Sequence, residues 1–72
     1  MIIALFPNTK KKNSIHLASE IRAYFEERGV TIVAPDEDHS KFGATPLSTI
    51  KVENIVFQIS MGGDGTILRL IH

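Results

Sequence analysis

The residues best suited to chemistry in this chain are consecutive: Gly62, Gly63, Asp64, Gly65 and Thr66. They follow an apolar run, Ile55 to Ile59, through Ser60 and Met61. Three glycines remove the side chains that would hold an anion away from the main chain, and they permit backbone conformations closed to other residues. Between a buried strand and the start of a helix, such a turn offers unpaired N–H groups and a partial positive charge to a phosphate. Asp64 is the odd element, because a plain anion site would not set a carboxylate beside phosphate. It suggests a general base, a metal-linked role or a hydrogen bond to a sugar hydroxyl. The plainer alternative is a tight strand-to-helix turn in which Asp64 only caps the helix. Three glycines exceed what a cap needs.

Two better-known phosphate motifs are absent from the sequence. No Gly-Lys-Ser or Gly-Lys-Thr follows the glycines, which excludes a P-loop. The first apolar run is followed by Phe6-Pro7-Asn8-Thr9 rather than a glycine fingerprint, which excludes the usual dinucleotide-binding unit. Asp36 does lie just after the second strand, where such units hold ribose. Without the glycines, Asp36, Glu37 and Asp38 read as a solvated acidic loop. Lys10, Lys11 and Lys12 follow the first strand, on the same sheet edge as the glycine turn; they read as a solvated loop, with attraction of nucleotide phosphates as the alternative. His16 reads as a surface residue of a helix. His39 has no cysteine or histidine partner at metal-ligand spacing, and no Ser/His/Asp or Cys/His set can be assembled.

The elements that must position the glycine turn are legible from periodicity. Ile2 to Phe6 is a continuous apolar run, as in strands buried on both faces of a parallel sheet. Asn13 and Ser14 suit a helix N-cap. From there Ile15, Ala18, Ile21 and Phe25 recur at helical spacing, with Leu17 and Tyr24 widening the stripe. Arg28 followed by Gly29 is a stop signal, which places a helix over 14–28. Val30 to Ala34 is mostly β-branched and ends at Pro35, a second strand. Residues 35–50 read mainly as loop, with a short helical turn around Leu47 to Ile50. Ile55 to Ile59 is a third strand, and Thr66 onward reads as a new helix. Alternation of this kind predicts an α/β fold, a three-layer Rossmann-like segment with a parallel sheet and the first strand between the other two.

Composition narrows the function classes. A 72-residue chain is one domain at most, and at that size folding buries only roughly 60% of the surface the unfolded chain exposes. There is no cysteine to staple it. Eight basic and eight acidic residues cancel, leaving no electrostatic footprint for nucleic acid or an anionic membrane. The apolar start stops at Pro7, too short for a membrane span and lacking the flanks of a signal peptide. A cytoplasmic setting is the default. The last helix has room for about two turns, which leads us to expect a fragment of a longer protein.

Gly62-Gly63-Asp64-Gly65-Thr66 followed by Ile67-Leu68-Arg69 resembles the signature of NAD kinases, within a wider group that includes diacylglycerol and sphingosine kinases and 6-phosphofructokinases. The first strand at the very start, one βαβ unit and a variable loop before the motif, and apolar residues plus arginine after it are similar to NAD kinases in particular. Lipid kinases continue with an asparagine and a glutamate that Leu68-Arg69-Leu70 lacks. The resemblance covers the chain in layout and is specific over about 55–72.

What the resemblance implies is transfer of the terminal phosphoryl group of ATP to the 2′-hydroxyl of the adenosine ribose of NAD. Asp64 would be the proton acceptor and a substrate contact. Gly62, Gly63, Gly65 and Thr66 would form the phosphate turn, with Gly65 also touching NAD through its backbone, and Arg69 would contact NAD. Thr66, Arg69 and His72, spaced three apart, would share one side of the helix. With no lysine in the turn, a divalent cation, expected to be magnesium, must neutralise phosphate charge; its ligands cannot be named. NAD and ATP are the expected partners, with no nucleic acid or membrane, and a homo-oligomer is expected at full length. The family's second, mostly β domain and its later Asn-Glu or Asn-Asp motif are missing, so the piece alone is expected to be inactive. A diacylglycerol-type lipid kinase and a non-catalytic nucleotide-binding or assembly domain are the alternatives.

Overall fold

The computed structural model describes residues 1–8, 10–61 and 66–70. Strand β1 (Ile2–Phe6) leads into helix α1 (Lys12–Glu26), then strand β2 (Thr31–Ala34), a single helical turn α2 (His39–Phe42) and a two-residue strand β3 (Thr45–Pro46). Two 3₁₀ turns, Leu47–Thr49 and Val52–Asn54, precede strands β4 (Ile55–Met61) and β5 (Thr66–Leu70). The sheet order is β3-β2-β1-β4-β5. The first four strands are mutually parallel, with β1 between β2 and β4 as the sequence predicts, and β5 runs antiparallel to β4.

The apolar runs behave as strands covered on both faces. Ile3, Leu5, Ile32, Ala34, Ile59 and Met61 join Ala18, Phe42 and Ala44 in one buried cluster, against which Ile15, Ile21 and Phe25 of α1 pack. On the opposite face Ala4, Val33 and Ile55 form a second cluster under Leu47 and Ile50. The layers are therefore helices, sheet, and a thin cover of 3₁₀ turns. An irregularity in the β1–β4 register explains why Ile55 faces the other way from Phe57 and Ile59. Ile2 pairs with Ile55 but Ile3 pairs with Phe57, so Val56 is an extra residue, and one extra residue switches the face.

Helix α1 starts two residues before the expected position. Its N-cap is Lys11, with no side-chain cap, and Ser14 is buried inside the first turn rather than capping it. The stop lies where expected. Gly29 takes φ +79°, its N–H bonds to Glu26 O at 3.2 Å, and Val30 N–H bonds to Phe25 O at 3.1 Å. This is a Schellman ending, and Val30 and Phe25 both pack on the core, as that motif favours. Leu17 and Tyr24 do not widen the buried stripe; they are exposed, and Tyr24 instead carries the Arg28 guanidinium 3.7 Å from its ring centre.

The 35–50 stretch contains the expected turn at Leu47–Thr49 and two elements the sequence did not announce, α2 and β3. One turn of helix and two residues of strand are too short to show a period. The α2 turn is held by Asp38 N–H and His39 N–H, both bonded to Pro35 O, and is closed by Gly43 at φ +79°. Arg22 of α1 reaches across to donate from Nε to Phe42 O at 2.6 Å, and its Nη1 pairs with Glu26 at 2.9 Å. Among the described residues no helix is long and apolar enough to cross a membrane.

Candidate functional site

The strand order places a switch point between β1 and β4. From β1 the chain steps outward through β2 to β3 on one side, then returns to place β4 on the other side. In open α/β sheets the crevice at the carboxyl ends of the strands flanking such a reversal is where ligands bind. Leu5 is in register with Ile59 and Phe6 with Ser60, so the residues leaving β1 emerge beside Met61, the last residue of β4.

The turn leaving β1 is tied down by its own polar groups. Asn8 N–H donates to the buried Ser14 Oγ at 2.8 Å, Lys10 N–H donates to Asn8 Oδ1 at 3.1 Å, and Lys11 N–H donates to Asn8 O at 3.1 Å. Lys10 and Lys11 are exposed on it. The sequence marked the lysines. It did not mark Asn8 and Ser14 as partners; Ser14 was legible only as a capping residue, because a bond spanning six positions leaves no periodic trace.

Gly62, Gly63, Asp64 and Gly65 lie outside the described residues. Their flanks are described: Met61 is the register partner of Thr66, and pairing continues through Ser60–Ile67, Ile59–Leu68, Gln58–Arg69 and Phe57–Leu70. The expected helix from Thr66 is therefore a strand. The reason is the open edge of β4, whose backbone groups need partners, set against the cost of nucleating a short helix. Thr-Ile-Leu-Arg-Leu carries β-branched residues suited to pairing. Two expectations change with it. Residues three apart share a side in a helix but not in a strand, so Thr66 and Arg69 lose their shared side; His72 lies outside the described residues. A helix N-terminus at Thr66 no longer contributes charge to the turn.

At the carboxyl end of β2, Asp36 is exposed and its Oδ1 accepts from Ser48 N–H at 3.1 Å. The Ser48 side chain and backbone, with a smaller contribution from the nearby His39, hold the Asp36 carboxyl below its ordinary value. Asp36 and Ser48 line an open groove of about 410 Å³ with Pro35, Leu47, Ile50 and Val52. Glu37 is exposed as expected, but Asp38 is not part of a solvated loop: it is buried and meets Lys41 Nζ at 3.1 Å. The start of α2 folds it inward, where the lysine answers its charge. His16 is a surface residue paired with Glu20 at 3.0 Å. Among the described residues no three His, Cys, Asp or Glu side chains gather to hold a metal ion, so no ligand is assigned to the expected cation.

Comparison with known proteins adds what geometry alone leaves open. The chain is 48% identical over 71 residues to an NAD kinase of Protochlamydia amoebophila, a match covering 99% of the chain. The chain is homologous to NAD kinases. NAD kinases of Chlorobium limicola and Prosthecochloris aestuarii match all of it, at 32% and 31% identity over 74 residues. The chain spans about a quarter of the length of these NAD kinases. No family model matches the chain, and no solved structure matches it.

Proposed function

We propose that this chain is the part of an NAD kinase that carries the phosphoryl-transfer turn, and that the whole protein phosphorylates the 2′-hydroxyl of the adenosine ribose of NAD with ATP. The observation that carries the reading is the position of Met61. It ends β4 at the switch point, so the glycine motif that begins at the next residue starts from the carboxyl edge beside β1.

In this reading the main chain of Gly62, Gly63 and Gly65 lies against phosphoryl oxygens. The Asp64 carboxylate takes the proton of the 2′-hydroxyl as that oxygen bonds to the γ-phosphorus of ATP. The bond from the γ-phosphorus to the bridging oxygen breaks, and ADP leaves with its electron pair. Positioning and charge stabilisation dominate such transfers. Thr66 closes the phosphate turn, and Arg69 is a contact to NAD. A divalent cation such as magnesium, bound with the ATP phosphates, would supply further charge neutralisation.

The test is formation of NADP from NAD and ATP by a protein of the relatives' length that contains this chain. Asp64→Asn should reduce turnover by 10²-fold or more, in the range expected for loss of a general base, with the thermal midpoint unchanged. Undiminished turnover would reject the base role, and failure of the wild-type protein to make NADP would reject the reading. The isolated 72-residue chain should make none.

A further inference from the structure

Ser14 carries a buried hydroxyl that the packing of helix α1 does not require. It lies in the first turn of α1, 7% exposed, and it caps nothing, because the N-cap is Lys11. Ala18 follows one turn later on the same face and is fully buried, so a small apolar side chain satisfies the packing there. The Ser14 hydroxyl instead accepts from Asn8 N–H at 2.8 Å, across six positions of chain. A partly buried donor left without an acceptor is costly, and Ser14 supplies that acceptor.

The bond joins two parts of the chain that are anchored differently. Helix α1 is seated on the sheet by Ile15, Ala18, Ile21 and Phe25. The residues leaving β1 lack such a seat: Asn8 is half-buried, and Lys10 and Lys11 are exposed. The other hydrogen bonds at Asn8 run to its neighbours, from Lys10 N–H to Oδ1 and from Lys11 N–H to the carbonyl oxygen. Of the hydrogen bonds described at Asn8, only the one to Ser14 reaches the buried face of the helix. Asn8 follows Phe6, the register partner of Ser60, at the switch point where an open α/β sheet binds its ligand. Its main chain therefore forms part of one wall of that crevice, and the Ser14 hydroxyl sets where that wall stands.

We propose that Ser14 is a positioning residue for nucleotide binding: by accepting from Asn8 N–H, it holds the main chain after β1 in the arrangement that receives a nucleotide at the β1–β4 switch point. The proposal rests on the phosphoryl-transfer reading above. Ser14 is buried and acts through Asn8, by keeping the binding-competent arrangement populated. Apparent affinity falls in proportion to that population, whereas a nucleotide already bound has selected it. Loss of the hydroxyl therefore raises KM and spares kcat.

The experiment is steady-state NADP formation by the protein of the relatives' length, wild type and Ser14→Ala, Ser14→Cys and Ser14→Thr, with equilibrium binding of ATP and of NAD measured on the same samples. Ser14→Ala should raise KM and Kd for at least one of the two nucleotides about fivefold, the size of one hydrogen bond, and leave kcat within about twofold of wild type. Ser14→Cys keeps the volume and weakens the acceptor, so it should show the same rise and decides the matter if Ser14→Ala does not fold. Ser14→Thr keeps the hydroxyl and should restore the wild-type KM. Unchanged KM and Kd for both nucleotides in the alanine and cysteine variants overturn the proposal. So does a fall in kcat alone, the mark of a smaller folded fraction, or a threonine variant as impaired in KM as the alanine one. If Kd shifts as stated while no NADP forms, the positioning role stands and the kinase reading fails. If NADP forms with both KM values unchanged in the variants, the reverse follows.

Discussion

Asp36 Oδ1 and the Ser48 N–H meet at 3.1 Å across twelve residues of chain, joining the end of β2 to the 3₁₀ turn that crosses the sheet. This bond ties Asp36 to one wall of the open groove lined by Pro35, Leu47, Ile50 and Val52, and it holds the Asp36 carboxyl below its ordinary pKa.

That shift has a sign that can be measured. The folded pKa of Asp36 lies below its ordinary 3.8, so the folded state binds the proton less readily than the unfolded state. The stabilisation is fully present above pH 3.8 and is lost as pH falls through the lower folded value. Urea unfolding followed through that acid range should show stability falling with pH, and Asp36→Asn should flatten part of the fall. An identical slope in the variant would show that Asp36 does not contribute.

Two glycines share φ +79° but not their surroundings. A Cβ on Gly43 would stand 3.3 Å from Arg22 Nε, which is held by Phe42 O, whereas a Cβ on Gly29 meets nothing within 4 Å. Gly29→Ala should cost about 1–2 kcal/mol for the left-handed backbone alone. Gly43→Ala should cost more, because Arg22 must also give way. Denaturant midpoints of the two variants decide this, and equal costs would mean that Arg22 moves freely.

Ser14→Ala should destabilise by about 1–2 kcal/mol, because the partly buried Asn8 N–H loses its acceptor. The same change should loosen the turn beside Met61. Faster amide exchange at Asn8, Lys10 and Lys11 is the expected signature. Protection equal to wild type would show that the turn holds without Ser14.

The sequence by itself determined the α/β class, the inward stripe of Ile15, Ala18, Ile21 and Phe25, the glycine stop at Gly29, and the parallel strands with β1 central. These are local signals: side chains repeat at helical or strand spacing, and a left-handed residue announces a helix end. It also placed the glycine motif directly after a buried strand, which is why the site could be proposed at all. Only the tertiary structure decided that Thr66–Leu70 pairs with β4 instead of winding into a helix, that Asp38 turns inward to Lys41, and that Asp36 lines a groove. Each of these depends on a partner that local periodicity does not specify. A strand edge takes whatever chain can pair with it, and a side chain's role is set by the atoms that folding brings to it. Arg22 with Phe42, twenty positions apart, and Asp36 with Ser48, twelve apart, meet only once the sheet has assembled.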